Sequence, residues 1–155
     1  MIEKVVNNKN VLKAIRQTVS NKGASGVDGM SVSELKDYYA KHKSVLLNTI
    51  VNHRYVAQAI RGVEIPKSNG KTRLLGVPTV VDRMLQQAVG QIIAPHFELE
   101  FKEFSYGFRP NRNAHQAIQQ AQKFIHEGYR YIVDIDLKNF FDEVDHCLLL
   151  NLVYQ

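Results

Sequence analysis

A single cysteine, Cys147, stands in the 155 residues, which excludes a disulfide or a multi-cysteine zinc framework and points to a reducing compartment. Cys147 itself reads as a small apolar helix residue. The six histidines show no recurrent metal-ligand spacing, so zinc is not expected. No apolar run approaches the roughly 20 residues of a membrane span, and the opening MIEKVVNNKN is too polar for a signal peptide. The expectation is a soluble, cytoplasmic protein. Internal repeats and low-complexity stretches are absent as well. Acid is the scarcer charge, with 15 Asp and Glu against 20 Lys and Arg, a formal charge of +5 and a pI near 9.3, which favours a polyanionic partner. With 45% hydrophobic and 23% charged residues, the chain can fold as one or two small units.

Periodicity and turn residues set the organisation. Val11, Leu12, Ile15 and Val19 fall on one helical stripe over residues 9 to 20, and the glycine-bearing NKGASGVDGM then breaks it. Ser31 and Glu34 have capping-box spacing ahead of a helix carrying Val32, Leu35, Tyr39, Leu46 and Ile50. Residues 59 to 81 turn extended around Asn69-Gly70, a hairpin signal, so a basic-tipped β-hairpin is expected. Asp82 is placed to cap a helix through Met84, Leu85, Val89, Ile92 and Ile93, which Pro95 should end or bend. FSYGFRPNR at 104 to 112 is loop. Asn113 starts a helix through Ala117, Ile118, Ala121, Phe124 and Ile125, with Gly128 at its C-terminal cap. Residues 131 to 137 then form a short strand. Asp145 caps a last apolar helix, which carries no stop signal before Gln155, so its packing partner is expected in further sequence.

The chemistry concentrates in YIVDIDLKNFFDEVDH, residues 131 to 146. In a strand, Asp134 and Asp136 share a face, and two neighbouring carboxylates repel unless a cation sits between them. A divalent ion of the magnesium kind, bound by one or two carboxylates and completed by water and phosphate, resolves that repulsion. A solvated strand end with unrelated acids accounts for the same pair.

DLKNFFD at 136 to 142 resembles the first polymerase motif of group II intron reverse transcriptases. GASGVDG at 23 to 29, IPKSNGKTRLLGVPTVVDRMLQQAV at 65 to 89 and FSYGFRPNRNAHQAI at 104 to 118 resemble three further blocks of that family, in its order. The resemblance implies an α+β fold: reverse transcriptase fingers with helices and an antiparallel β-hairpin over residues 1–130. The first strand and helix of an incomplete polymerase palm would follow over 131–155. It implies that Asp136 is catalytic and, with the Leu137 carbonyl, holds two magnesium ions. Phe141 takes the place of a steric gate against a ribose 2'-hydroxyl, although it equally packs as one of two adjacent rings. Asp134 matches a position that is often acidic without being a ligand, and Asp142 and Asp145 read as turn and cap residues.

Lys67, Lys71 and Arg73 lie close to the hairpin turn, where alternation can send Lys71 and Arg73 to one face, a mixture of point charge and planar fork suited to a triphosphate. The resemblance makes Lys67 and Arg73 the leading contacts, while a solvated basic hairpin guarding a sheet edge is the plain alternative. Leu74 departs from the family, which usually has proline there. Tyr106, Phe108 and Arg109 can stack on bases or clamp a phosphate, with Phe108 equally at home in a satellite core. Arg112, His115 and the loop around Asp28 are further candidates to face an RNA template, and Asp28-Gly29 is as well explained as a turn. The implied partners are group II intron RNA as template, a DNA primer, deoxynucleotides and the remainder of the polymerase. Self-association into a homodimer is also expected, through the apolar Leu148, Leu149 and Val153. No adjacent Asp-Asp pair, the family's second carboxylate motif, occurs in these residues, so the chain alone is expected to bind without polymerising. A basic RNA-binding module without catalysis is the alternative.

Overall fold

The computed structural model describes residues 1–68, 70–137 and 140–154. The described chain falls into two compact units, Met1–Glu103 and Phe104–Gln155.

The first unit holds helices α1 (Ile2–Val5), α2 (Asn8–Ser20), α3 (Leu35–Val51) and α4 (Val80–Glu98), with strands β1 (Arg61–Pro66) and β2 (Thr72–Val77) between the last two helices. Its core is helical. Val11, Ala14 and Ile15 of α2, Leu35, Tyr39 and Leu46 of α3, and Val80, Val81, Met84 and Ala88 of α4 are buried together. The stripe on α2 runs 11, 14, 15, 18, so Leu12, expected on it, points away and is 38% exposed. Polar side chains clasp α2 to α4. The Asn10 amide donates to the carbonyls of Val5 and Ala88, both at 2.9 Å, and Gln91 donates back to the Asn10 Oδ1 at 2.8 Å. Tyr39 is buried with no partner for its hydroxyl, and burial raises its pKa above the usual phenol value. Tyr39→Phe should therefore raise unfolding stability by about 1 kcal/mol, because an unsatisfied buried hydroxyl is removed without loss of shape. Chemical denaturation measures this.

Two helix starts differ from the reading above. The N-cap of α4 is Thr79, whose hydroxyl accepts from the Asp82 N–H at 3.2 Å and donates to the Asp82 carboxylate at 2.6 Å. Asp82, three residues inside, is buried and also accepts from Tyr55 Oη at 2.7 Å and the Gln58 N–H at 3.2 Å. It ties the approach to the hairpin onto α4, a larger task than capping. Pro95 lies inside α4, which continues to Glu98. At Ser31, half of the capping box forms: the Glu34 carboxylate accepts from the Ser31 N–H at 2.8 Å and its hydroxyl at 2.6 Å. A turn then intervenes and α3 begins at Leu35.

Burial, then the bond to Asp82, pushes the Tyr55 phenol well above its ordinary pKa. A raised folded-state pKa means stability that is whole below the unfolded value of about 10 and is lost as pH climbs from there toward the folded pKa. Tyr55→Phe should cost about 1–3 kcal/mol at neutral pH. It should also flatten the alkaline fall in stability, followed by denaturant melts across that range.

The loop between α2 and α3 is held by its backbone. Arg83 donates to the Ala24 carbonyl at 2.5 Å and Arg61 to the Ser25 carbonyl at 3.3 Å. Gly26 is buried against the Pro78–Thr79 backbone, where a Cβ would sit 2.6 Å from Thr79 Cα and 2.8 Å from its nitrogen. Backbone cannot yield as a side-chain tip does, so Gly26→Ala should cost about 1–3 kcal/mol. Thermal unfolding of the variant reads it.

β1 and β2 pair antiparallel, Arg61 with Val77 through Pro66 with Thr72, and form the two-stranded sheet of the described chain. The Lys67 N–H continues the pairing to the Lys71 carbonyl at 2.6 Å, and Gly70 closes the loop at φ 76°, a left-handed value glycine takes freely. Asn69, named above with Gly70, lies outside the described residues.

The second unit contains α5 (Ala114–His126) and α6 (His146–Tyr154). A full capping box joins Asn113 and Gln116. At the other end Gly128, φ 101°, donates to the Ile125 carbonyl while Tyr129 reaches Phe124, both at 3.1 Å. This is a Schellman closure, and its apolar contact is the Phe124–Tyr129 ring pair at 5.7 Å. Asp145 caps α6, accepting from the Leu148 N–H at 3.0 Å. Residues 131–137, expected as a strand, carry no ladder. A strand exists by pairing, and no described segment pairs with this one. None of the described residues of this unit is buried.

Candidate active site

The hairpin gathers the three expected cations. Partners across a ladder share a face, so Lys67, Lys71 and Arg73 project with Ile65, Val63 and Leu75 from one side. Val63 and Ile65 are half-buried toward the base, and the cations stand exposed toward the tip. Leu74 lies on the opposite face, paired with Glu64 and diagonal to Gly62, where a Cβ would meet its Cδ1 at 3.1 Å. The glycine thus makes room for the residue that departs from the family.

In the second unit Asp136, Leu137, Phe140, Phe141 and Asp142 line one shallow concavity with Ile135. The Asp136 carboxylate is exposed and accepts from the Leu137 N–H at 2.9 Å. Phe140 and Phe141 meet edge-on at 5.5 Å, and Phe141 keeps 85% of its surface in solvent. Asp134 is not part of the concavity lining. Lys138 and Asn139, within the motif, lie outside the described residues.

In the 104 to 112 loop, Arg109 donates to the Ser105 carbonyl at 2.9 Å, and the Arg112 guanidinium lies 5.4 Å from the Tyr106 ring centre. Phe108 is fully exposed at φ 55°, an uncommon backbone for an aromatic residue. At the α2–α3 loop, Asp28 Oδ1 accepts from the Met30 N–H at 3.2 Å and Gly29 has φ 72°, the turn geometry of the plainer reading. His115 begins α5.

One basic feature escaped the motif reading. Lys4, Lys9 and Lys13 line a cleft with Asn7, Asn10 and Ile92. The signal was present: residues 1 to 22 hold five Lys and Arg against one acid, a skew hidden in the whole-chain charge. Ile92 lies 12 residues beyond Val80, about 18 Å along α4 from the end that adjoins the hairpin.

Residues 65–154 match the family described as reverse transcriptase (RNA-dependent DNA polymerase), and the chain belongs to that family. Within it, the chain sides with the group II intron-encoded enzymes and maturases. It is 34% identical over 148 residues to the group II intron-encoded protein LtrA of Lactococcus lactis, covering 90% of this chain and 23% of that protein. It is 37% identical over 147 residues to protein YkfC of Escherichia coli, 91% of this chain and 39% of that protein. An 87-residue stretch is 32% identical to nuclear intron maturase 1, mitochondrial, of Arabidopsis thaliana, covering 54% of this chain and 12% of the maturase. The chain thus spans well under half the length of these relatives.

The family generally uses magnesium. Asp136, Leu137 and Asp142 line one concavity, and carboxylate and carbonyl oxygens are donors of the kind magnesium takes. Among the described residues no group of three or more His, Cys, Asp or Glu gathers to hold a metal, so the donor set here is partial. No described helix is long and apolar enough to cross a membrane.

Proposed function

We propose that this chain supplies the nucleotide cradle and the first catalytic carboxylate of an RNA-directed DNA polymerase encoded by a group II intron, acting in the cytoplasm. Fingers would span residues 1–130 and the start of the palm 131–155. The observation that carries the reading is the concavity lined by Asp136, Leu137 and Phe141.

Lys67, Lys71 and Arg73 neutralise the triphosphate of an incoming deoxynucleotide, arginine by its planar fork and lysine as a point charge. Phe141 stands where a ribose 2'-hydroxyl would press. Phe108 offers its open ring to a template base, and Arg109 and Arg112 hold its loop and face the RNA backbone. Asp136 and Leu137 would hold magnesium, and the ion would supply Lewis-acid stabilisation to nucleotidyl transfer. The chain contains no Asp-Asp pair, so alone it binds without extending a primer. Primer extension on an RNA template, with the chain alone and mixed with a separately produced polymerase remainder, tests this. Extension by the mixture only is expected; none from either sinks the reading.

The lysine-lined cleft favours a second reading, a basic RNA-binding module. RNA affinity that falls steeply with salt, is unaffected by nucleotide, and drops on replacing Lys4, Lys9 and Lys13 would support it. Exposed Leu148, Leu149 and Val153 on α6 support self-association into a homodimer. Light scattering at rising concentration reads that directly.

A further inference from the structure

Of the residues in β1 and β2, Val63, Ile65 and Val77 are half-buried and the others are exposed. Side-chain packing therefore does little to fix the direction in which the hairpin points, and a two-stranded ribbon has scant stability of its own. The fixed points lie at its base. Asp82, buried on α4, holds both ends of the hairpin with one carboxylate. Its Oδ2 accepts from the Gln58 N–H at 3.2 Å, shortly before β1, and from the Thr79 hydroxyl at 2.6 Å, just after β2. Its Oδ1 accepts from Tyr55 Oη at 2.7 Å, further upstream on the same approach. Arg61, at the first rung of the ladder, adds a bond to the Ser25 carbonyl at 3.3 Å.

The cations stand at the other end. Lys67 and Lys71 lie beyond the last rung, Pro66 with Thr72, about 20 Å from Arg61 at the usual strand rise. Over that length a tilt of about 10° at the base carries the tip through about 3.5 Å. Misplacing a group by about 1 Å can already cost about a hundredfold in rate. A buried carboxylate bonded to both strand ends resists that tilt, because moving it would leave its partners unsatisfied.

We propose that Asp82 and Tyr55 are positioning residues for nucleotide binding: their hydrogen bond aims the hairpin so that Lys67, Lys71 and Arg73 reach the triphosphate. This rests on the nucleotide-cradle reading above and adds what holds the cradle in place. Neither side chain meets the nucleotide.

Tyr55→Phe removes one hydroxyl and keeps the ring, and Asp82→Asn turns one acceptor oxygen into a donor. Primer extension by the full chain mixed with the polymerase remainder should show KM for deoxynucleotide raised about tenfold or more in each. The kcat and the KM for template–primer should stay within about threefold of wild type, a split that general loss of structure would not produce. Val11→Ala truncates the buried core on α2 and should lower stability while leaving KM for deoxynucleotide unchanged. Lys67→Ala and Arg73→Ala test the cradle itself and should raise the same KM. Titration of dTTP with magnesium into the full chain alone repeats the comparison as Kd. Where Asp82→Asn does not fold, Tyr55→Phe carries the test. If the Lys67 and Arg73 variants raise KM and Tyr55→Phe does not, positioning is overturned and the cradle stands. An equal rise in Val11→Ala overturns positioning too. Lys67 and Arg73 variants without effect, or a wild-type chain that neither binds nor extends, overturn the cradle and this inference with it.

Discussion

Asp136→Ala is expected to abolish primer extension by the chain mixed with a polymerase remainder, a loss of at least about a thousandfold in rate. A carboxylate that anchors a divalent ion contributes several kcal/mol to the transition state, and each 1.4 kcal/mol or so is a factor of ten. The Asp136 carboxylate is exposed, and its hydrogen bond within the chain is to the adjacent Leu137 N–H, so its removal leaves packing untouched. Salt-dependent RNA binding should persist at wild-type strength, because the cations of the hairpin and of the α1–α2 cleft are unaltered. Unchanged extension in the variant would remove Asp136 from the chemistry. Lost extension together with lost RNA binding would mean a folding defect instead.

The second large effect is on sugar selection. Phe141→Ala should raise ribonucleotide incorporation about 10- to 100-fold relative to deoxynucleotide, measured as the ratio of kcat/KM values in the same mixture. Van der Waals exclusion of one hydroxyl is worth about 1–3 kcal/mol, which sets that range. The ring is free to act in this way. It touches Phe140 edge-on but holds no buried position, so truncation opens space without collapsing a core. A ratio that stays constant would assign Phe141 to packing against its neighbour and nothing more.

Local signals were the legible ones. The Asn113 and Asp145 caps, the Gly128 closure and the presence of a hairpin depend on local signals, and each appears as expected. Errors arose where a residue answers to distant partners. Asp82 looked like a cap because Asp caps helices. In the fold, Thr79 takes that place and Tyr55, 27 positions upstream, claims the carboxylate. The strand over 131–137 failed for a related reason: alternation marks a segment able to pair, and pairing itself is nonlocal. The lysine cleft was lost in averaging, since a net charge over the whole chain conceals a skew at one end. Candidate site residues were named through motif order, and the structure adds which of them share a surface: three cations on one hairpin face, and Asp136 with Phe141 at one concavity.

The clasp on the α2–α3 loop has a consequence for how freely that stretch can vary. Arg83 and Arg61 grip the carbonyls of Ala24 and Ser25, and every amino acid supplies a carbonyl. Side-chain identity at 24 and 25 is therefore nearly invisible to the contact, while Gly26 is fixed by the missing Cβ itself. A saturation library over this loop should return a broad tolerated alphabet at the first two positions and a single letter at the third.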